Sequence, residues 1–221
     1  MGEATPKCLL PIDGVPMLLL AVWPFHRRPE VCAVVLVVPR GSEGDVAGEV
    51  AKWRISKVAS IIAGGERRQD SVYAGLKAVP DDITHILVHD GARPLLSERL
   101  LSRVITALKR HPAVSTAVPV MDTLHTVAGG RLKPGPNREG LVRAQTPQGF
   151  ARGMLENALR RGKDADRVMT DEAALVREMT GVEAVMVPGE PGNVKMTLPD
   201  DLRLNERQLR RRAGIIKSAG G

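Results

Sequence analysis

Apolar residues fall along this chain in two rhythms that take turns. Aliphatic-rich runs occur at Ala33–Val38, Val58–Ala63, Thr84–His89 and Val114–Val120, the first of them unbroken. Between them, over 43–53, 69–78 and 98–111, apolar residues recur every three or four positions. A run that is apolar at each position suits a strand covered on both faces, and the wider spacing suits a helix with one buried stripe. Leu100, Leu101, Val104, Ile105 and Leu108 form such a stripe, and Ser97 stands ahead of it as an N-cap. The alternation predicts an α/β fold, with a mostly parallel sheet and helices on both faces. No internal repeat and no linker divides it, so a single domain over residues 1–221 is expected.

Residues 121–146 break the rhythm. Thr123–Val127 and Leu141–Ala144 read as two strands, separated by Gly129-Gly130 and by Pro134-Gly135-Pro136-Asn137. The segment is expected to project as a β-arm. Two exposed faces cannot bury each other, so the arm is expected to pack on a second copy of the chain; a surface loop is the plainer alternative. A helix over 150–161, another from near Thr170, strands at Glu183–Val187 and Val194–Thr197, and a last helix follow. That last helix carries Pro199 in its first turn beside Asp200 and Asp201, a usual start signal.

Composition narrows the classes. At 43% hydrophobic and 26% charged, the chain is an ordinary globular one. Two Trp, one Tyr and two Phe make the core aliphatic and argue against base-stacking on single strands. Cys8 and Cys32 form no C-x-x-C pair, so neither a disulfide framework nor a zinc site is implied, and a cytoplasmic location is expected. The net charge is +7, part of it in the run Gln208–Arg212. That run reads first as a solvated helix end and less well as a nucleic-acid patch; the same surplus suits a small anionic substrate. The apolar stretch Val15–Phe25 is interrupted by Pro16 and Pro24 and is too short to span a bilayer, so neither a membrane nor a nucleic-acid partner is expected.

Candidate chemistry gathers where the predicted strands end, as ligands do in open α/β sheets. After Ile86-Leu87-Val88 comes His89-Asp90-Gly91-Ala92-Arg93-Pro94: a carboxylate able to hold a divalent cation or a ribose hydroxyl, among small residues that admit a ligand to the backbone. Gly64-Gly65-Glu66-Arg67-Arg68-Gln69-Asp70-Ser71 opens a helix whose free N–H groups favour a phosphate or a polar base edge; it also fits a plain glycine turn. Met121-Asp122-Thr123 lies where a strand meets the arm, and Arg138 and Arg143–Gln148 lie on its return. Thr170-Asp171-Glu172 reads most cheaply as a helix cap. Lys195, on a short apolar stretch, binds phosphate if it faces the crevice. Lys7 is held between Pro6 and Pro11 rather than in a loose tail.

In this order and spacing, P-K at 6–7, G-G-E-R-R-Q-D-S-V-Y-A-G-L at 64–76, V-H-D-G-A-R-P at 88–94, V-P-V-M-D-T at 118–123, A-Q-T-P-Q-G-F at 144–150, T-D-E-A at 170–173 and N-V-K-M-T at 193–197 resemble the 2-C-methyl-D-erythritol 4-phosphate cytidylyltransferase family. The resemblance implies a Rossmann-like nucleotidyltransferase fold, a homodimer joined by the arms, and transfer of CMP from CTP to a polyol phosphate with Mg²⁺ and release of pyrophosphate. It implies that Lys7 and Lys195 contact phosphates and the transition state. Gly65 and Ser71 would line the base pocket, and Asp90, Gly91 and Ala92 the ribose and metal side. Asp122, Thr123, Arg138, Thr146 and Thr170 would bind the acceptor, with Arg93 bracing its loop. Ribitol 5-phosphate is an alternative acceptor. The family pattern opens with a strand and a loop of the form A-A-G-x-G-x-R, ahead of the position held here by Met1-Gly2. Without them, two sheet edges are expected to lie unpaired, and a non-catalytic nucleotide-binding dimer is the further alternative. Gly91 stands where the family usually has alanine, and no acid adjoins Asn193 to serve as a second metal ligand.

Overall fold

The β-branched runs take the extended backbone that their stiff side chains favour, and the elements come close to the predicted ones. The computed structural model describes residues 9–220, so Lys7 lies outside the described residues. A two-residue ladder, β1 (Pro11–Ile12) with β2 (Val15–Pro16), leads into α1 (Met17–Arg27). There follow β3 (Val34–Val38), α2 (Glu43–Lys52), β4 (Val58–Ala63), α3 (Arg68–Lys77), β5 (His85–Val88), α4 (Glu98–Leu108) and β6 (Ala113–Pro119). The arm holds β7 (His125–Ala128) and β8 (Arg131–Pro134). Then come β9 (Val142–Ala151), α5 (Arg152–Asp164), α6 (Glu172–Thr180), β10 (Val185–Pro188), α7 (Pro199–Leu204) and α8 (Glu206–Gly220).

The strands form a four-stranded sheet in the order β10-β6-β9-β5 and a separate pair, β3-β4, besides the ladders of β1-β2 and β7-β8. β3 is parallel to β4 and β10 to β6, while the long β9 runs antiparallel to both β6 and β5. The main sheet is therefore mixed. β9 also revises the expected arm. Leu141–Ala144 does not pair with Thr123–Val127; residues 142–145 join β6, and the arm closes on itself as the hairpin β7-β8 around Gly129-Gly130. Both glycines have positive φ (57° and 71°), the conformation a tight hairpin turn demands. Phe150, expected to start a helix, is instead a fully buried strand residue opposite Ile86 and Ala113. Val194–Thr197 forms no strand, though Met196 N–H still bonds to Ala92 C=O at 2.8 Å. The stretch Val15–Phe25 yields a helix in spite of Pro24, because every residue of α1 up to Phe25 is buried.

α4 shows how the pattern becomes packing. Ser97 Oγ accepts the Leu100 N–H at 2.9 Å, and Leu100, Leu101, Val104 and Leu108 are buried against Phe25, Val114 and Val187. Each such side chain contributes about 1.5–3 kcal/mol. On the other side of the sheet, α5 and α6 bury Leu155, Leu159, Leu175 and Val176 against Phe150. α8 seats Leu209, Ala213 and Ile216 against the cluster built on α1 and β3. Its basic run is thus the outer face of a docked helix, and Arg212 reaches back to the Leu96 carbonyl at 2.7 Å.

β3 and β5 do not pair with each other among the described residues. A cavity of about 500 Å³ lies between them, lined by Val35, Val37, Ile86, Val88, Leu18 and Val22, and reaching the polar side chains of Arg68, His89 and Asp90. The carboxyl ends of β3, β4 and β5 frame the site described next.

Candidate active site

β5 ends at Val88, and the turn that follows carries Asp90. A bulge in β9 fixes that turn. Ser115 pairs with Gln148 but Thr116 with Gln145, so Thr146 and Pro147 fall outside the β6 ladder, where Pro147 has no N–H to give. Freed from the ladder, Thr146 Oγ1 accepts the Asp90 N–H at 3.0 Å and lies 2.9 Å from His89 Nδ1. His89 Nε2 lies 3.2 Å from the Arg93 carbonyl. The consistent assignment has Nε2 protonated and donating to that carbonyl, with Nδ1 accepting from the threonine hydroxyl. Burial pushes the His89 imidazole down to about 4 against the opposing pull of the Arg93 carbonyl and Asp90, so it is neutral at pH 7.

Three cations converge on the Asp90 carboxylate. Arg68 Nε and Nη2 donate to its Oδ1 at 3.2 and 3.1 Å; Lys195 Nζ and Arg93 Nε lie 3.2 and 3.5 Å from its Oδ2. Burial alone would raise the Asp90 pKa, but Arg68, Lys195 and Arg93 together hold it below the ordinary carboxylate value. Lys195 is 43% exposed at its side chain against 13% for Asp90, so the lysine covers the carboxylate from the solvent side. Arg93 braces the surrounding loops, donating to the carbonyls of Asn193 at 2.8 Å and Ala144 at 3.4 Å. Asn193 is fully buried and donates its Nδ2 to the Thr146 carbonyl at 2.8 Å. The 193–197 stretch is thereby tied to β9 without being a strand, which is how Lys195 arrives at Asp90.

Beside this cluster, Gly65 and Ser71 share a shallow bowl with Val38, Pro39, Arg40 and Glu66. Gly65 N–H donates to Ser71 Oγ at 3.1 Å. A Cβ on Gly65 would sit 2.5 Å from the Asp70 Cβ, so only glycine allows this turn against the helix start. Asp70 in turn accepts from Arg67 in the first turn of α3.

The structure thus brings Asp90, Gly91, Ala92, Thr146 and Lys195 together, with Gly65 and Ser71 adjoining. Thr146, expected to face the acceptor, has its hydroxyl engaged with Asp90 and His89 and is 4% exposed. Asp122, Thr123 and Arg138 are exposed at the base of the arm, where Arg138 Nη1 donates to the Met121 carbonyl. Thr170 is exposed just ahead of Asp171, which caps α6 by accepting the Ala174 N–H at 2.8 Å. Sequence reasoning passed over Arg68, His89 and Glu172 as site residues. Arg68 was visible only as one more cation, and nothing local marks Glu172, the first residue of α6, as 2% exposed and paired to Arg68.

Among the described residues, no three His, Cys, Asp or Glu side chains converge as a metal cage. Asp90 offers one carboxylate, which fits Mg²⁺, a cation commonly held by one or two carboxylates plus substrate phosphates. No helix among the described residues is long and apolar enough to cross a membrane.

A family model described as 2-C-methyl-D-erythritol 4-phosphate cytidylyltransferase matches residues 1–211. A protein of that name from Syntrophus aciditrophicus is 38% identical over 218 residues, covering 98% of this chain and 93% of its own. One from Symbiobacterium thermophilum is 40% identical over 215 residues, covering 96% and 89%. Among solved structures, the cytidylyltransferase of that name from Thermus thermophilus superposes with a TM-score of 0.78 at 32% identity, covering 94% of this chain and 95% of its own. That from Francisella tularensis gives 0.80 at 26%, covering 92% and 93%.

Proposed function

The chain belongs to the 2-C-methyl-D-erythritol 4-phosphate cytidylyltransferase family, and from that membership we propose that the cleft around Asp90 and Lys195 is where it works. The activity is transfer of CMP from CTP to 2-C-methyl-D-erythritol 4-phosphate with release of pyrophosphate, a step toward isoprenoid precursors. In this transfer an oxygen of the acceptor phosphate attacks the α-phosphorus of CTP. The bond from that phosphorus to the bridging oxygen of the β-phosphate breaks, and pyrophosphate leaves. No side-chain nucleophile is required, so the protein has to align two anions and offset the charge that shifts between them.

The observation that carries this reading is the meeting of Lys195 with Asp90 at 3.2 Å at the solvent side of the cluster. Lys195 exchanges its carboxylate partner for phosphate oxygens and meets the growing charge on the leaving group. Gly65 and Ser71 present backbone and hydroxyl to the base edge, while Gly91 and Ala92 let the ribose approach the backbone beside Asp90. Bound Mg²⁺ would be held by Asp90 and the triphosphate, and would supply charge neutralisation between the phosphates. Asp122, Thr123, Arg138 and Thr170 receive the acceptor, Arg138 binding its phosphate as a planar fork.

The arm belongs to the same proposal. Every residue of β7 and β8 is exposed, including Val127 at 67% and Leu132 at 70%. A lone two-stranded hairpin is marginal in water, which supports a second copy covering it and bringing its arm base toward this cleft. A cytoplasmic setting is consistent with the free thiol of Cys32.

The test is pyrophosphate release from CTP and Mg²⁺, with 2-C-methyl-D-erythritol 4-phosphate and ribitol 5-phosphate run side by side. Faster release with the former is expected. A preference for ribitol 5-phosphate would overturn the acceptor, and CTP binding without release from either would favour the non-catalytic dimer.

A further inference from the structure

Behind Asp90 lies a second carboxylate that the reaction does not use. Glu172 opens α6, is 2% exposed, and accepts Arg68 Nη1 on Oε1, while its Oε2 is buried with no hydrogen-bond partner among the described residues. A carboxylate at a helix start is content in water, and burying it costs free energy unless a cation and hydrogen bonds compensate. Capping does not explain it, since Asp171 already accepts the Ala174 N–H of this helix. Its side-chain partner among the described residues is the far side of the guanidinium whose near side grips Asp90. A guanidinium is rigid and planar, so holding Nη1 at Glu172 fixes the plane in which Nε and Nη2 meet Asp90 Oδ1. With Oδ1 taken, only Oδ2 remains for Lys195.

Resting on the reading of Asp90 and Lys195 given above, we propose that Glu172 is a positioning residue: it anchors Arg68 on one oxygen of Asp90 so that the other oxygen holds Lys195 at the mouth of the cleft. Released from Glu172, Arg68 turns its fork across both oxygens of Asp90, the bidentate geometry that carboxylates favour. Lys195 is then displaced and no longer waits where the phosphates arrive. A merely structural ion pair would change the melting temperature of a variant and leave Lys195 as it was.

The experiment measures the acetylation rate of Lys195 by acetic anhydride, followed by peptide mass, with and without Mg²⁺-CTP. In the native chain the nucleotide slows the reaction. In Glu172→Gln, the rate without nucleotide rises about threefold, the size expected for loosening a half-exposed ion pair. Turnover falls about tenfold while the KM for CTP stays within about threefold, a coupling of ordinary size between contacting residues. In an Arg68→Met background, Glu172→Gln lowers kcat no further and raises the melting temperature, because the double variant has no orphaned carboxylate. That pair also decides the matter if the single Gln variant folds poorly. Native Lys195 acetylation and kcat in Glu172→Gln, or kcat losses that multiply in the double variant, would overturn the positioning role. If CTP fails to protect Lys195 in the native chain, the reading of the site itself falls; if it protects and the Gln variant behaves as native, only the role of Glu172 does.

Discussion

Thr146→Val isolates the bond that sets the Asp90 turn. Valine matches threonine in shape, so the change opens no cavity in a position that is 4% exposed. What disappears is a hydroxyl that accepts the Asp90 N–H at 3.0 Å and donates to His89 Nδ1 at 2.9 Å. Among the described residues, no other side chain bonds the Asp90 N–H or His89 Nδ1. Leaving a buried donor or acceptor unsatisfied costs about 1–3 kcal/mol each. The imidazole can recover part of this by shifting, so a combined loss of about 2–4 kcal/mol is expected. For a chain of this length that lowers the melting temperature by about 5–15 °C. Thr146→Ser keeps the hydroxyl and gives up one methyl group, so it should lose only about 1 kcal/mol. Thermal and urea unfolding of the two variants against the native chain measure this directly. A valine variant that melts within a degree or two of the native protein, or a serine variant as damaged as the valine one, would show that the bulge is held by the backbone alone.

Lys195→Ala should lower kcat by about 10²–10³, the usual cost of removing a transition-state donor, with the KM for CTP changed only a few-fold. A change confined to KM would reduce the lysine to a binding group. Arg138→Ala should raise the KM for the acceptor about 10–100-fold, as for loss of a charged hydrogen bond. At acceptor concentrations well below the raised KM, mixed dimers carrying Arg138→Ala and Lys195→Ala on separate chains should regain activity in about a quarter to half of sites if Arg138 serves the other subunit, and none if it serves its own. For His89 the sign follows from a folded pKa of about 4 against an unfolded 6.5. The unfolded chain binds the proton more readily, so stability is complete above pH 6.5 and declines as the pH falls toward 4, by up to about 3 kcal/mol. Urea midpoints between pH 7 and 4 should show this decline, and His89→Gln should flatten it.

What the sequence made legible follows from the range of the forces involved. β3, β4, β5 and the start of α4 could be placed within a residue or two because aliphatic periodicity is local and burial rewards it directly. The same rule caught only the first residues of β9, within Leu141–Ala144, and missed the rest. Its residues 142–151 mix Arg, Gln, Thr and Gly with few aliphatics, and they are a strand because β5 and β6 pair with them from both sides. Phe150 looked like the start of α5 for the same reason: only its ladder partners Ile86 and Ala113 make it a strand residue. Asp90 and Lys195 were readable as polar groups beside glycine and aliphatic runs. Glu172 was not, because a carboxylate at a helix start has an adequate local explanation. Its burial against Arg68 exists only once α3 and α6 have been brought together.

The charge balance of the assembled cluster ties the fold to the chemistry. Arg68, Arg93 and Lys195 face Asp90, with Glu172 behind Arg68. Three cations against two carboxylates leave a surplus of one. Burial pulls the Arg93 pKa down in spite of Asp90, while Glu172 and Asp90 together raise that of Arg68 against the same pull. The two arginines are therefore held by the protein: Arg93 by backbone carbonyls as well, Arg68 by two carboxylates. Among the described residues Lys195 has the one oxygen of Asp90, and it is more exposed than either arginine. It is the cation that costs least to detach. On the proposed function, an incoming triphosphate would offer it several negative oxygens for one, while Arg68 and Arg93 would stay to neutralise Asp90. On the proposed function, a cleft built this way would give up one ion pair to bind its nucleotide and leave the rest of its geometry in place.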